Sequence, residues 1–272
     1  MSRFLGITRE PVFSPGRVAD DSAILHLVAD ELRHQGHTVA VVGGADEHWP
    51  EPAADTIVFA MCQGSRALDR MQRWEACGVR IVNRPEGILN CQRHRTVPAL
   101  VRLGTAFPQS LLLETAAVPA LPDWVAESGA WVKRGDVHAT ESDDVVFADS
   151  IDKVRGALQR FRERRVERAV VQRHVAGTVL KFYAVRGRFF HCVRPREGDA
   201  PTPDTVRRID ALGQNAAQVL NLEVYGGDCV HSANGALTLI DLNDWPSYAP
   251  CRSEAARAIA GYLLAQRTAR DM

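Results

Sequence analysis

The segment between residues 4 and 82 alternates short apolar runs with longer runs that are apolar on one side only. This alternation restricts the fold more than any other feature of the chain. The apolar runs at residues 4–8, 38–42, 56–61 and 80–82 predict strands. Helices are predicted at residues 19–35, where Gly36 ends the pattern, and at residues 65–78. Strand–helix–strand order is typical of a parallel sheet covered by helices, so the predicted fold class is α/β.

The rest of the chain predicts further units in a less regular order, with α+β elements. Helices are predicted at residues 97–104, 151–168, 203–220 and from 253 onward. Strands are predicted at residues 131–133, 144–147 and 170–172, and a hairpin at 179–192. We expect an N-terminal α/β domain at residues 1–84, a central lid at 85–169 and a C-terminal domain at 170–272. The length of 272 residues fits two or three small α/β units.

Charge and cysteine usage exclude several classes of protein. The 33 lysines and arginines balance the 33 aspartates and glutamates, so the chain lacks the basic excess of a protein that binds nucleic acid or an anionic membrane. No apolar run approaches membrane-spanning length, and we expect no signal peptide. The six cysteines follow no paired spacing, which indicates reduced thiols in a cytoplasmic protein. The sequence leaves the oligomeric state open, including a homo-oligomer.

Three oxygen-bearing side chains follow a strong hairpin signal near the end of the chain. Asn234-Gly235 predicts a tight turn between an apolar run that holds Asp228 and a return strand that leads to Asp241. Asn243 shares a face with Asp241, because side chains alternate along a strand. Two carboxylates and one amide suit Mg²⁺, which keeps waters and substrate phosphates in its shell. On these residues alone, Asp241 and Asn243 as the opening of a turn before Pro246 remains an equal alternative.

Three cations from separate elements complete the predicted site. Lys133 ends a strand, Lys181 lies in the hairpin at residues 179–192, and Arg93 begins a helix. Cations that converge near a magnesium site are typical of a cradle for a triphosphate, because they neutralise charge that develops during phosphoryl transfer.

Taken in order, these residues resemble the ATP-grasp family. The resemblance covers residues 80–265. The start of the family's central domain is matched by Asn83-Arg84-Pro85, Ile88, Cys91, Arg93, Gly104 and Pro108. It implies an ATP-grasp fold preceded by a Rossmann-like domain, with ATP and Mg²⁺ as cofactors. Asp228, Asp241 and Asn243 match the magnesium ligands of the family.

The resemblance also implies roles for the remaining matched residues. Lys133 corresponds to the second ATP lysine, and Arg93 stands where the family usually has another lysine. Arg194 matches an arginine near the transferred phosphate, and we assign it to catalysis together with Lys181, which also contacts ATP. The strand whose backbone holds the adenine is matched by Val171, Gln172, Arg173, His174 and Val175. Two departures stand out: Arg173 replaces an acid, and residues 134–139 replace a glycine-rich loop.

Two branches of the family compete for the acceptor. The carboxylate–amine ligases, such as glutathione synthetase and the glutamate-adding ligases, resemble the N-terminal part of the chain, including Asp20-Asp21-Ser22 at the first helix. The ATP-grasp inositol polyphosphate kinases resemble the hairpin that ends in Lys181-Phe182-Tyr183 and the segment around Asp241. An ATP-binding module without turnover is a third interpretation.

The supply of cations favours the ligase slightly over the kinase. A polyphosphate acceptor needs a dense basic pocket, because each phosphate carries nearly two charges. The candidate cations are Arg17, Arg66, Arg134, Arg194, Arg196, Arg207 and Arg208, and acids interleave with them. Weaker candidates for contact with the acceptor, which is either a carboxylate with an amine or a polyol phosphate, are Ser65, Arg66, His138, Arg196 and Ser247.

Overall fold

The structure is a computed structural model that describes residues 3–136, 141–194 and 198–268. Its strands form three four-stranded sheets that follow one another along the chain. Two of the candidate residues, His138 and Arg196, lie outside the described residues. Within the described ranges, no helix combines the length and the apolar character needed to cross a bilayer.

The N-terminal sheet confirms the predicted α/β unit. Its elements are β1 (Arg3–Ile7), α1 (Val18–His34), β2 (Thr38–Val42), β3 (Ile57–Ala60), α2 (Ser65–Ala76) and β4 (Arg80–Val82). The strands run parallel in the order β2-β1-β3-β4. Phe4 and Phe59 pack with α1, whereas Leu5 and Val58 pack with α2, so the central strands are buried on both faces. Gly36 follows α1 with a φ of 82°, the left-handed conformation in which helices often end.

The central sheet is antiparallel and carries its own core. Its surroundings are α3 (Pro85–Asn90), α4 (Arg93–Leu103), β5 (Ser110–Glu114), α5 (Trp124–Ser128), β6 (Ala130–Arg134), β7 (Val145–Ala148), α6 (Ile151–Glu163) and β8 (Arg168–Arg173). The strand order is β5-β8-β6-β7. Val154, Leu158 and Phe161 of α6 pack with Val132 and Val171 of the sheet.

The C-terminal sheet is antiparallel and lies between two layers of helices. Its elements are β9 (Thr178–Val185), β10 (Phe189–Val193), α7 (Pro203–Val219), β11 (Val224–His231), β12 (Leu237–Asp244) and α8 (Arg252–Thr268). The strand order is β10-β9-β11-β12. Leu100 of α4 and Ile209 of α7 pack with Leu180 and Leu239 on one face. On the other face α8 packs against α1, and both helices contribute to one continuous core.

The structure differs from the sequence prediction around residues 164–173. The predicted helix at 151–168 ends at Glu163, because Arg165 takes a φ of 58° and the N–H of Val166 donates to the Phe161 carbonyl at 2.9 Å. Arg168 therefore starts a strand. That strand, β8, pairs with β5 and β6 in the central sheet, whereas the sequence prediction assigns it to the C-terminal domain. The strand β5 carries no counterpart among the predicted elements.

Candidate active site

A cleft of about 510 Å³ lies between the N-terminal sheet and the β11–β12 hairpin. One wall comes from the loops that follow β1 and β3, and the opposite wall from β9, β11, β12 and the turn at residues 246–247. Ligands of open α/β sheets bind beyond the carboxyl ends of the strands, which is where the first wall lies. The cleft therefore lies where ligands of such sheets bind, and the predicted metal ligands face it.

The three predicted metal ligands come together as the sequence predicts. Asp228 of β11 is directly opposite Asp241 of β12, and Asn243 is opposite Gly226. All three ligands line the cleft. Burial raises the pKa of the Asp228 carboxyl, and the nearby charge of Asp241 adds to this, while Lys181 opposes it. Two carboxylates that share a half-buried site in this way favour a bound cation, which would stabilise their ionised forms.

Glycines let the chain pack tightly around this site. A Cβ atom at Gly226 would lie 2.8 Å from Cγ of Pro246, and one at Gly227 would lie 2.5 Å from the Asp241 carbonyl oxygen. Real Cβ contacts essentially never fall that short. The Gly226-Gly227 pair thus allows the turn after β12 to lie against β11 next to the predicted ligands.

Lys181 and Arg93 each pair with one of the two carboxylates. Nζ of Lys181 lies 3.1 Å from Oδ1 of Asp228, and Nη2 of Arg93 lies 3.4 Å from Oδ2 of Asp241. Burial acts to lower the pKa of Lys181, but the charge and hydrogen bond of Asp228 outweigh it, so this pKa lies above its ordinary value. Arg93 is 9% exposed and also donates from Nη1 to the Arg134 carbonyl at 3.1 Å.

Lys133 reaches the same hairpin from the central sheet. Its Nζ donates to the carbonyl of Ile240 at 3.2 Å, next to Asp241. Only 6% of the residue is exposed, and this burial lowers its pKa from 10.5 to about 8, against the attraction of Asp241. The ammonium is therefore held in a dry position where an anionic ligand would be strongly attracted.

The donor set fits Mg²⁺ and a nucleotide triphosphate. No cluster of three histidine, cysteine or acidic side chains that suits a metal occurs in the described residues. Two carboxylates plus the amide of Asn243 leave room for the waters and phosphate oxygens that Mg²⁺ prefers. The buried Nε of Arg93 has no hydrogen-bond partner among the described residues, which leaves a donor for an anion.

A network of hydrogen bonds from the N-terminal domain joins the cleft wall formed by the loops after β1 and β3 to the end of β12. Arg9 donates to the carbonyls of Met61, at 3.2 Å, and Trp245, at 2.9 Å, and pairs with Asp21 at 3.4 Å. Gln63 donates to Oδ1 of the buried Asp244 at 3.0 Å. The sequence prediction missed Arg9 and Gln63, although both lie in the loops that follow strands of the parallel sheet, at its carboxyl edge.

The predicted adenine strand lies outside the described lining of the cleft. Val171 and Gln172 are buried in the central sheet. The guanidinium of Arg173 contacts Gln109 Oε1 at 2.8 Å, and the ring of His174 accepts from Trp131 Nε1 at 3.2 Å. The side chains of Arg173 and His174 are therefore occupied by the protein, and contact with a base at Arg173, His174 or Val175 stays a prediction that concerns the backbone.

The remaining described candidates differ in whether they line the cleft. Ser247 lines it, whereas Ser65 and Arg66 line a second cavity of about 260 Å³. Buried Glu10 contributes to that second cavity and accepts from the N–H groups of Gln63 and Gly64, both at 3.0 Å. Arg194 directly follows Val193, the residue that pairs with Lys181, but it is absent from the described lining of the cleft.

Solved structures with the same arrangement of sheets include several that bind nucleotides. The D-alanine–D-alanine ligase from Bacillus anthracis, solved with ATP, matches with a TM-score of 0.73 at 11% identity over 99% of this chain and 100% of that chain. The RimK domain ATP-grasp protein from Sphaerobacter thermophilus gives 0.70 at 18% identity, over 97% and 100% of the two chains. The ATP-grasp ligase PsnB, solved with a minimal precursor, Mg and ADP, gives 0.67 at 16% identity, over 97% and 98%.

These similarities confirm the ATP-grasp fold that the sequence resemblance implies. The chain therefore has the fold of an ATP-grasp protein, preceded by a parallel α/β unit. Scans against protein-family models and against the sequences of curated proteins found no match.

Proposed function

We propose that the protein is an ATP- and Mg²⁺-dependent ligase that joins a carboxylate to an amine through an acyl phosphate. The observation that carries this proposal is the meeting of Asp228, Asp241 and Asn243 with Lys181 and Arg93 in a cleft that also faces the N-terminal sheet. Solved structures of the same fold, by their printed names, include a D-alanine–D-alanine ligase and an ATP-grasp ligase. Their names support a ligase over other uses of the fold.

In such a reaction, different side chains of the site would bind the metal and the phosphates. ATP supplies the phosphoryl group, and Mg²⁺ offsets the charge of its phosphates. Asp228, Asp241 and Asn243 would hold the metal, and Lys133, Lys181 and Arg93 would hold the phosphates. An acceptor carboxylate oxygen forms a bond to the terminal phosphorus as the bond to ADP breaks. An amine then attacks the acyl carbon, phosphate leaves, and the amine loses a proton.

The charge of the cleft supports a ligase over a kinase for inositol polyphosphates. Three of the four cations that line the described part of the cleft are already paired with carboxylates: Arg9 with Asp21, Arg93 with Asp241 and Lys181 with Asp228. A substrate with several phosphates brings between one and two negative charges per phosphate. A cleft with this balance suits an acceptor of low charge.

A release assay tests the proposal. Free phosphate and ADP are measured with Mg²⁺ and ATP against a panel of carboxylates, amines and inositol phosphates. We expect release only when a carboxylate and an amine are both present. ADP release with inositol phosphates and no free phosphate would establish the kinase instead. Nucleotide binding by calorimetry without any release would establish the module without turnover, and absence of binding would contradict all three functions.

A further inference from the structure

Arg17 differs from every other cation of the cleft. It lies just before α1, and among the described lining residues it is the one cation with no hydrogen bond or ion pair from its side chain. Its backbone is fixed, since its N–H donates to the Ser14 carbonyl at 3.0 Å and its own carbonyl accepts from Asp21 at 2.9 Å. The exposed side chain lines the cleft and remains open to a ligand.

The acids nearest to Arg17 in sequence are already paired with other groups. Oδ1 of Asp20 pairs with Arg252 at 2.8 Å. Oδ2 of Asp21 accepts from the hydroxyl of Ser14 at 2.8 Å and also pairs with Arg9. The positive charge of Arg17 is therefore not offset by its neighbours on α1, and it faces the cleft as a net positive centre.

Two hydroxyl groups share the cleft with Arg17. Tyr183 and Ser247 both line it, and no hydrogen bond from either hydroxyl is formed within the described residues. Burial raises the pKa of the Tyr183 hydroxyl, and the charges of Lys181 and Arg17 act to lower it. The Ser247 carbonyl accepts from Nε of Arg252 at 3.2 Å, so the same arginine fixes the turn that carries Ser247 and the start of α1.

We propose that Arg17, with the hydroxyls of Tyr183 and Ser247, binds a carboxylate of the acceptor that takes no part in the reaction. We call this group the non-reacting carboxylate. A guanidinium and two hydroxyls are a donor set that recognises a planar anion. The substrate class is thus a dicarboxylic amino acid or another short dicarboxylate, with the non-reacting carboxylate at Arg17 and the reacting one toward Lys181. This inference rests on the ligase function proposed above and specifies its acceptor.

A single carboxylate agrees with the charge of the cleft better than a phosphate does. The lining also contains Asp228, Asp241 and Asp244, which would repel a dianion more than a monoanion. Arg17 is the sole described cation of the lining that is free to offset the anion. The charges of the residues that line this half of the cleft therefore favour a monoanionic ligand.

The test compares acids with their amides in the wild type and in three variants. ADP release is measured in the presence of an amine with L- and D-dicarboxylic amino acids and other short dicarboxylates, each beside the monoamide that lacks the non-reacting carboxylate. The variants are Arg17→Gln, Arg17→Lys and, as a matched control, Arg257→Gln on the exposed side of α8. Binding of Mg²⁺-ATP to each protein is measured by calorimetry.

We expect the wild type to prefer the acid, and Arg17→Gln to remove this preference. Loss of a charge-assisted hydrogen bond should raise KM for the acid about tenfold to hundredfold, with kcat changed less than about threefold. Arg17→Lys should keep part of the preference, and Arg257→Gln should behave as the wild type. Tyr183→Phe should raise KM for the acid by a smaller factor.

Two results would overturn the inference and leave the proposed function intact. These are equal use of acid and amide by the wild type, and an unchanged KM in Arg17→Gln. Failure of the wild type to bind Mg²⁺-ATP, or binding without ADP release from any member of the panel, would instead contradict the proposed function itself. Calorimetry and the release assay together therefore separate the two failures.

Discussion

Lys181 and Asp228 face each other as direct partners on adjacent strands, with Nζ 3.1 Å from Oδ1. The ladder between β9 and β11 sets these two residues opposite each other, so their side chains are neighbours on one face of the sheet. Because Asp228 also lies opposite Asp241, Lys181 and Arg93 each pair with one of two neighbouring carboxylates. Lys181 thereby opposes the burial and the charge of Asp241, which raise the pKa of the Asp228 carboxyl.

Removing one carboxylate of the pair should weaken the binding of Mg²⁺ and so raise the Mg²⁺ requirement. In Asp228→Asn the hairpin keeps its shape but loses one anionic ligand. We expect ADP release to fall by on the order of a hundredfold or more, and the Mg²⁺ concentration for half-maximal release to rise. Titration of Mg²⁺ at saturating ATP measures both quantities. Asp69→Asn, on the exposed side of α2, is the control, and an unchanged Mg²⁺ requirement in Asp228→Asn would rule out this ligand.

Burial of Lys133 should cost stability at neutral pH. Its pKa is about 8 in the folded protein against 10.5 for the ordinary lysine, so the unfolded chain binds more protons between these values. Stability from this group therefore rises with pH from about 8 to 10.5 and is lowest below 8. A shift of this size corresponds to roughly 3 kcal/mol. We expect Lys133→Met to gain up to that amount in free energy of unfolding at pH 7, and to lose nucleotide binding.

Urea unfolding of Lys133→Met and the wild type over this pH range measures the effect. The difference between the two curves should shrink as the pH rises through 8 and above. Lys153→Met is a suitable control, because Lys153 is 64% exposed and pairs only with exposed Asp149. A constant difference across the range would show that the ammonium of Lys133 titrates normally.

Local sequence was sufficient to predict that Asp228 and Asp241 meet on the β11–β12 hairpin, but not how the opposite wall of the cleft is built. Asp228 and Asp241 lie on two strands joined by one tight turn at Asn234-Gly235, so alternation of side chains was enough to bring them together. Arg9 acts through carbonyls 52 and 236 positions away, and no periodicity in the chain encodes such contacts. The first relation depends on strand geometry, the second on how two domains dock.

The same distinction explains why the predicted boundary at residues 169–170 falls within a strand. The run at 170–172 reads as a strand from its apolar residues alone. Its neighbours are fixed by pairing of Arg168 with Glu114 and of Val171 with Val132, both distant along the chain. β5 pairs on one side only, and Ser110 and Glu114 at its ends weaken its apolar pattern. A non-local sheet order cannot be read from such a segment.

Arg9 should position the cleft wall formed by the loops after β1 and β3 without touching the nucleotide. In Arg9→Lys, the guanidinium that donates to the carbonyls of both Met61 and Trp245 is replaced by an ammonium, which lacks the forked arrangement of donors. We expect a loss of about 1–3 kcal/mol in free energy of unfolding and a fall in kcat for ADP release, with Mg²⁺-ATP affinity unchanged within about twofold. Arg3→Lys is the control, since Arg3 is 63% exposed. Weaker Mg²⁺-ATP binding in Arg9→Lys would contradict a purely positioning role.

Asn83 should be the most sensitive single contact between the N-terminal sheet and the metal strand. Its Oδ1 accepts from the N–H groups of Glu223, at 2.8 Å, and Val224, at 2.9 Å, and its Nδ2 donates to the Val224 carbonyl at 2.7 Å. Asn83 is completely buried. In Asn83→Ala these backbone groups lose their partners without access to water, and each buried unpaired group costs about 1–3 kcal/mol.

We therefore expect Asn83→Ala to lose about 3 kcal/mol or more in free energy of unfolding, measured in urea. Asn90→Ala provides the comparison, because Asn90 makes one longer hydrogen bond of 3.3 Å to the Leu220 carbonyl and is only partly buried. Since β11 begins at Val224, loosening of this contact should also shift the strand that carries Asp228, and ADP release should fall together with stability. Equal losses in the two variants would show that the buried hydrogen bonds of Asn83 stabilise the protein no more than the single bond of Asn90 does. The docking of the two domains would then depend on the shared core of α1 and α8.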